Sequence, residues 1–457
     1  MNTSARKILL ACVALALFGC KATMRSYSEE SKETQVQATG NNPDQALANL
    51  EKNNAQEKDL LYYLEKGELL RLDNKISDSR DAWLQADEKV RLWEEEAKNR
   101  PEALIGDLGA LVINDKTRRY DGQDYEKIML STRLALDHVA LGQWDKARTE
   151  IKKTHEREAV IAALRAKEVQ KLEQQSKTQG ITLKTQDLKG YPVETLNDPA
   201  VTALKNSYQS ALSHYLAGFV YEALREPSLA APGYRKAIEL RPGSGILEEG
   251  LRGLDARMKN TRPNTTEVLF IVESGNIPGR KSVTLPIPIP YQGSVSVIPL
   301  SFPVIQPDTS PQPVQIQLHG KTITVIKLAP ITNLDAMARR ALKDEMPGII
   351  LRTAVRAVAK SAAQKKVADR GGQFASMLSS VTAVATETAD ERGWRTLPAQ
   401  IAIARITLVP GTYTIGIPAN QKEEQVKVNI SGKYAVVPIR LMGNGVFQPH
   451  PILAQTP

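Results

Sequence analysis

The sequence predicts an α+β chain of more than one domain: an α-helical solenoid of paired helices, then a β-sandwich-like domain with an inserted helical section. Three observations predict it. Ala211 to Pro242 alternates small and large side chains at a spacing that lets two antiparallel helices pack. At Arg262-Pro263 the composition shifts towards β-branched runs. Beyond that point, short alternating segments recur between Gly and Pro turns, as in a sandwich.

The helical region is built from repeated pairs. In the strongest unit, Gly218, Tyr221, Ala230, Tyr234, Ala237 and Pro242 take the packing positions. This pattern resembles a tetratricopeptide unit. A second unit starts at Ile128, with Leu134, His138, Gly142, Ala147 and Ile151, and Gly142-Gln143-Trp144 forms the turn. A third starts at Leu60, with Tyr63, Gly67, Leu70, Ser79, Trp83 and Ala86. One such unit cannot bury its own apolar face, so it implies neighbours. Insertions separate the units. Ala103 to Ile113 reads as an apolar helix. Lys152 to Gln175 reads as a helix that outruns its repeat, and its stripe of Val160, Ile161, Leu164, Val169 and Leu172 packs along the array or pairs in a coiled coil with another chain.

The inner helices of such an array line a concave groove. By analogy it takes Met129, Leu136 and Val139 from one unit and Leu212, Tyr215, Phe219 and Glu222 from another. That lining is apolar enough to need a cover. Either another part of this chain, such as the long helix, fills it, or a protein partner docks an amphipathic helix there.

Before the repeats stands an address. Arg6-Lys7, the apolar run Ile8 to Phe18 and Gly19-Cys20 describe a secretory signal over 1–19. The run is shorter than the roughly 20 residues that span a bilayer. Leu17-Phe18-Gly19-Cys20 resembles a bacterial lipobox, although Phe18 is larger than the usual residue. The resemblance implies acylation of Cys20, and Lys21 after it implies the outer membrane. Acyl chains anchor through about 0.8 kcal/mol per buried CH2. Residues 20–56, rich in Ser, Glu, Gln, Thr and Asn, are expected to be anchor and flexible tether, with a short helix near Gln45 to Leu50. The only cysteines are Cys12, lost with the signal, and Cys20. No thiol then remains for a disulfide or a nucleophile.

The repeats are expected over 57–262 and the β-rich domain over 263–457, with helices inserted at about 333–392. Val268 to Val272 reads as a strand. Pro286, Pro288 and Pro290 confine their segment to an edge. Val314, Ile316 and Leu318, then Ile323 and Val325, read as a hairpin; 401–409, 413–417, 426–430 and 434–441 read as further strands. One helix is expected to stop at Pro347-Gly348, a second to run over 349–368 and a third over 374–388. On the second, Arg352, Arg356 and Lys360 share a face. That face meets solvent, an anionic lipid surface or an acidic partner.

The 457-residue chain has 42% hydrophobic and 24% charged residues and a formal charge of +9. A mild basic excess selects no partner, and a secretory leader argues against nucleic acid. No catalytic constellation emerges. His138, His155, His214, His319 and His450 pair with nothing at metal-ligand spacing, and there is no phosphate loop or nucleophile elbow. No metal or cofactor is expected. Together with the lipobox and the repeats, Gly393-Trp394-Arg395-Thr396-Leu397-Pro398 and Pro410-Gly411-Thr412 resemble a family of Gram-negative outer-membrane lipoproteins with tetratricopeptide-like repeats and a β-rich C-terminal domain. No motif in that likeness is catalytic. Such genes tend to lie near that of a lipoprotein activator of penicillin-binding proteins. The resemblance therefore implies a non-enzymatic scaffold that binds a protein of the cell envelope, such as the peptidoglycan-synthesis machinery. The alternatives are a direct binder of peptidoglycan or acidic lipid, or an envelope hydrolase.

Overall fold

The computed structural model of the protein describes residues 26–55, 58–105, 119–179, 184–259, 264–291, 294–320, 322–356, 389–419, 422–443 and 445–447. The signal, Cys20, Lys360 and the helix expected over 374–388 lie outside them.

A helix, α1 (Tyr27–Thr39), stands where a tether was expected, and α2 (Pro43–Asn53) contains the short helix read over Gln45 to Leu50. The start of α1 is written locally. The Ser26 hydroxyl accepts from the Glu29 amide at 3.2 Å, and the Glu29 carboxylate accepts from the Ser26 amide at 3.1 Å. That reciprocal pair is a capping box. Few apolar residues are needed because each is well placed. Ala38, Ala46 and Leu50 pack on Tyr62, Leu69, Leu72, Met442 and Phe447.

The three expected helix pairs are present: α3 (Leu60–Leu72) with α4 (Ile76–Asn99), and, after the short α5 (Pro101–Ile105), α6 (Asp124–Ala140) with α7 (Trp144–Gln179). After the short α8 (Glu194–Asn197) and α9 (Pro199–Thr202), α10 (Ala211–Ala223) pairs with α11 (Pro227–Leu240). Then follow α12 (Gly245–Arg252) and α13 (Leu254–Lys259). Small residues set the approach within pairs. A Cβ on Gly67 would lie 2.1 Å from the Trp83 ring nitrogen, and one on Gly218 would lie 2.6 Å from the Tyr234 ring. The 36-residue α7 packs along the array, as its stripe predicts. Ile161 and Leu164 meet Trp93, Ala97 and Ile128, whereas Val169 is exposed. Among the described residues, no helix is long and apolar enough to cross a membrane.

The strands are β1 (Thr266–Ser274), β2 (Lys281–Tyr291), β3 (Ser294–Val304), β4 (Gln315–His319), β5 (Ile323–Lys327) and β6 (Ala329–Asn333). The helix α14 then runs continuously over 334–356. The chain returns as β7 (Gln400–Leu408), β8 (Gly411–Ala419), β9 (Lys422–Ile430), β10 (Tyr434–Met442) and β11 (Gly445–Phe447). Pro347 does not stop α14. Met346, Ile349, Ile350 and Leu351 are buried around it, and packing outweighs the one lost hydrogen bond. One sheet has the order β11-β10-β1-β7-β6, with β1 parallel to β10 and antiparallel to β7. A second, antiparallel sheet has the order β5-β4-β8-β9.

The central strand explains the layering. All nine residues of β1 are buried, because neither of its faces meets water. Val268, Phe270 and Val272 face the second sheet with Ala402, Ala404, Val437 and Ile439, making the sandwich core. Leu269 and Ile271 face the other way, into the helices, with Ile401, Ile403, Tyr434 and Val436. The molecule is thus helices on sheet on sheet. Helices give way to strands between Lys259 and Thr266, but the core runs straight across that junction.

The hairpin β4–β5 has a register that the alternation misleads. Ile316 pairs with Ile326 and Leu318 with Thr324, so Ile326 turns inward. Ile323 and Val325 turn outward, 62% and 53% exposed. β2 and β3 form a separate two-stranded ribbon. Pro286 pairs with Pro299 and Ser282 with Pro303, so with Pro288 and Pro290 all five prolines fall on one parity of the ladder. Proline cannot donate, so this is the parity whose backbone points away from the partner strand.

Candidate interaction site

The concave face of the repeats is closed. Met129, Leu136, Val139, Leu212, Tyr215, Phe219 and Glu222 all have 0% exposure. The occupant is the chain's own first sheet, not the long helix and not an open groove awaiting a partner. Phe219 meets the edge of Tyr434 on β10 at 5.6 Å and 83°. The Leu212 amide donates to Thr332 Oγ1 on β6 at 3.0 Å. The physical reason is the one anticipated for an apolar lining: left bare, it would cost on the order of 2 kcal/mol for each large side chain.

Glu222 is a charge in this seam and must be paired to be there. Arg257 donates to it from Nε at 2.7 Å and Arg405 from Nη2 at 2.5 Å. Tyr234 donates its hydroxyl at 2.7 Å and Tyr434 at 3.3 Å. Burial opposes the charge, but the two guanidiniums outweigh it and hold the carboxyl below its ordinary 4.5. Arg405 also stacks over Phe219, 5.0 Å from the ring centroid. One anion thus ties α10, α11, α13, β7 and β10 together. A second buried cluster lies nearby. Arg133, with no exposure, donates to Glu273 on β1 and, at 3.1 Å, to Glu68 on α3, while Arg71 pairs with Asp137.

The Gly393–Pro398 stretch, singled out in sequence, is a clamp rather than a site. Trp394 is fully buried with its ring 6.0 Å from Trp83 at 63°. Its amide donates to Glu126 at 2.7 Å. The Arg395 amide and the Thr396 hydroxyl donate to Glu65 at 2.7 and 2.6 Å. Arg395 reaches on to Ser28 Oγ at 2.8 Å and over the Tyr27 ring, fastening α1. Burial pushes Glu65 up to about 7 despite the donors from Thr396 and Arg395. The folded state therefore holds this proton more tightly than the unfolded chain does. That stabilisation is present at low pH and is lost as pH rises through about 7. The gap from 4.5, at about 1.36 kcal/mol per unit, amounts to about 3 kcal/mol. Glu65→Gln, neutral throughout, is expected to flatten that fall; urea unfolding of both proteins between pH 5 and 8 measures it.

Of the basic face, Arg352 and Arg356 are half-buried on α14. Arg352 lines a polar cavity of about 160 Å3 with Arg119, Arg280 and Arg392, and with the carboxylates Asp121, Glu345 and Asp390. Arg280 is paired with Glu345 at 2.9 Å and Arg392 with Asp390 at 2.7 Å. Arg119, whose side chain is 61% exposed, pairs with Glu96 at 2.7 Å. Arg356 donates to Thr353 at 3.3 Å. Sequence spacing found one arginine of this cavity. The others, Arg119, Arg280 and Arg392, come from three segments each more than a hundred positions from the next.

No family model matches the chain, and no curated protein matches it in sequence. Among solved structures, a tetratricopeptide repeat protein from Parabacteroides merdae ATCC 43184 is similar at 13% identity, over 50% of this chain and 98% of that one, with a TM-score of 0.14. The helix pairs described above, rather than that superposition, identify the repeats.

Proposed function

We propose that this protein is a non-enzymatic scaffold of the bacterial cell envelope, held at the outer membrane through Cys20, that binds a protein partner on the outside of its sandwich. The leader and Leu17-Phe18-Gly19-Cys20 support the address. The observation that carries the binding surface is the edge strand β5. Ile323 and Val325 stand exposed on a strand with one unpaired ladder edge. Such an edge is a template for a partner strand or an apolar face. The partner is a protein of the envelope, with the peptidoglycan-synthesis machinery as the candidate the family likeness implies.

Photo-crosslinking in intact cells tests this. A crosslinkable residue at Val325 is expected to trap a discrete protein, and one at Phe219 none. Trapping from Phe219, or nothing from Val325, overturns the surface. Palmitate incorporation abolished by Cys20→Ala tests the anchor. The second reading, a direct contact with acidic lipid or peptidoglycan, draws on the arginine-lined cavity. Co-sedimentation with isolated sacculi or anionic vesicles, lost in an Arg119→Glu, Arg352→Glu variant, would favour it.

A further inference from the structure

Two histidines that are 59 positions apart meet at the joint between the second and third helix pairs. His155 stands exposed on α7 and His214 is buried on α10. His155 Nε2 and His214 Nδ1 are 3.3 Å apart, with ring centroids at 5.2 Å. On its far side, His214 Nε2 lies 3.0 Å from Glu158 Oε1. Glu158 is held in turn by Gln209, whose Nε2 donates to Oε2 at 2.9 Å.

We propose that His155 Nε2 and His214 Nδ1 form a binding site for a divalent transition-metal ion of the Zn2+ or Cu2+ class, with Glu158 orienting His214. Two features agree. First, 3.3 Å is long for a hydrogen bond. It matches the edge, about 3.3 Å, between two imidazole nitrogens each about 2.0–2.1 Å from a tetrahedral ion. Second, a ligating imidazole characteristically gives its other N–H to a carboxylate, which fixes the tautomer. With Nε2–H turned to Glu158, His214 Nδ1 carries the lone pair. Binding asks only that His155 carry its proton on Nδ1, so a neutral imidazole need release none.

Among the described residues, no group of three or more His, Cys, Asp or Glu side chains could hold a metal. Water therefore completes the shell, and the ion is exchangeable. Its effect is to clamp α7 to α10. Imidazole ligation ranks Cu2+ above Zn2+.

The test titrates the purified, untagged full-length protein with Zn2+ against a chromogenic chelator. One ion per chain is expected. His155→Ala, at an exposed position, is expected to weaken binding by about tenfold or more with unchanged circular dichroism, and Glu158→Gln by about tenfold. Zn2+ should raise the melting temperature of the wild type and not of His155→Ala. Affinities for wild type and His155→Ala within about threefold of each other overturn the site, as does a wild type that takes up no ion.

Discussion

Glu222→Ala is expected to destabilise the protein by about 3–5 kcal/mol, the cost of removing one partner from a buried ion pair. The carboxylate is fully buried and receives donors from Arg257, Arg405, Tyr234 and Tyr434. Without it, two guanidiniums remain in a seam that water cannot reach freely. Arg405, with its side chain 9% exposed, keeps Glu267 at 3.2 Å, whereas Arg257 is left with the backbone carbonyls of Glu249 and Gly250. Arg257→Ala should cost less, because its side chain lies nearer solvent, at 13% exposure, and Arg405 still answers Glu222. The midpoint and slope of urea unfolding measure both. The stabilisation has a pH window. The folded carboxyl titrates below 4.5, so its contribution is complete above that pH and is lost as pH falls through the folded value. A Glu222→Ala variant as stable as wild type at pH 7 would mean that the helices and the first sheet are not locked by this anion.

Trp394→Ala should cost about 3–5 kcal/mol by leaving a large cavity at the junction of three elements. The indole is fully buried, sits edge-on to Trp83, and donates to Thr396 Oγ1 at 3.1 Å. Thr396 in turn feeds Glu65, so the substitution also loosens a buried carboxylate. Trp394→Phe keeps most of the volume and loses the N–H donor, and should cost less than half as much. A double-mutant cycle with Trp83→Phe should return a coupling of about 0.5–1.5 kcal/mol. Additive single costs would show that the two rings are neighbours without being partners.

Several elements were legible because local chemistry determined them. The helix pairs follow from Gly67 against Trp83 and Gly218 against Tyr234, positions where nothing larger than hydrogen fits. The run Val268 to Val272 reads as a strand because both its faces are buried. Other features lay beyond local reading. α1 has too few apolar residues to announce itself, and its packing depends on Met442 and Phe447, some four hundred positions away. Ile323 and Val325 alternate as an inward pair would, yet the register set by Ile316 against Ile326 turns them out. The basic row on α14 was visible as spacing, but its cavity is assembled from Arg119, Arg280 and Arg392. The groove residues were correctly read as needing cover. What covers them is a long-range fact, written in strands that pair only after the chain has folded.

The ribbon β2–β3 carries its prolines where the backbone faces outward. Each such position withholds the amide that a newcomer strand would need to lock on. An unprotected two-stranded ribbon with this much Ile, Val and Leu would nucleate intermolecular assembly. Here both rims are chemically blunted, so the ribbon can stay apolar without seeding fibres.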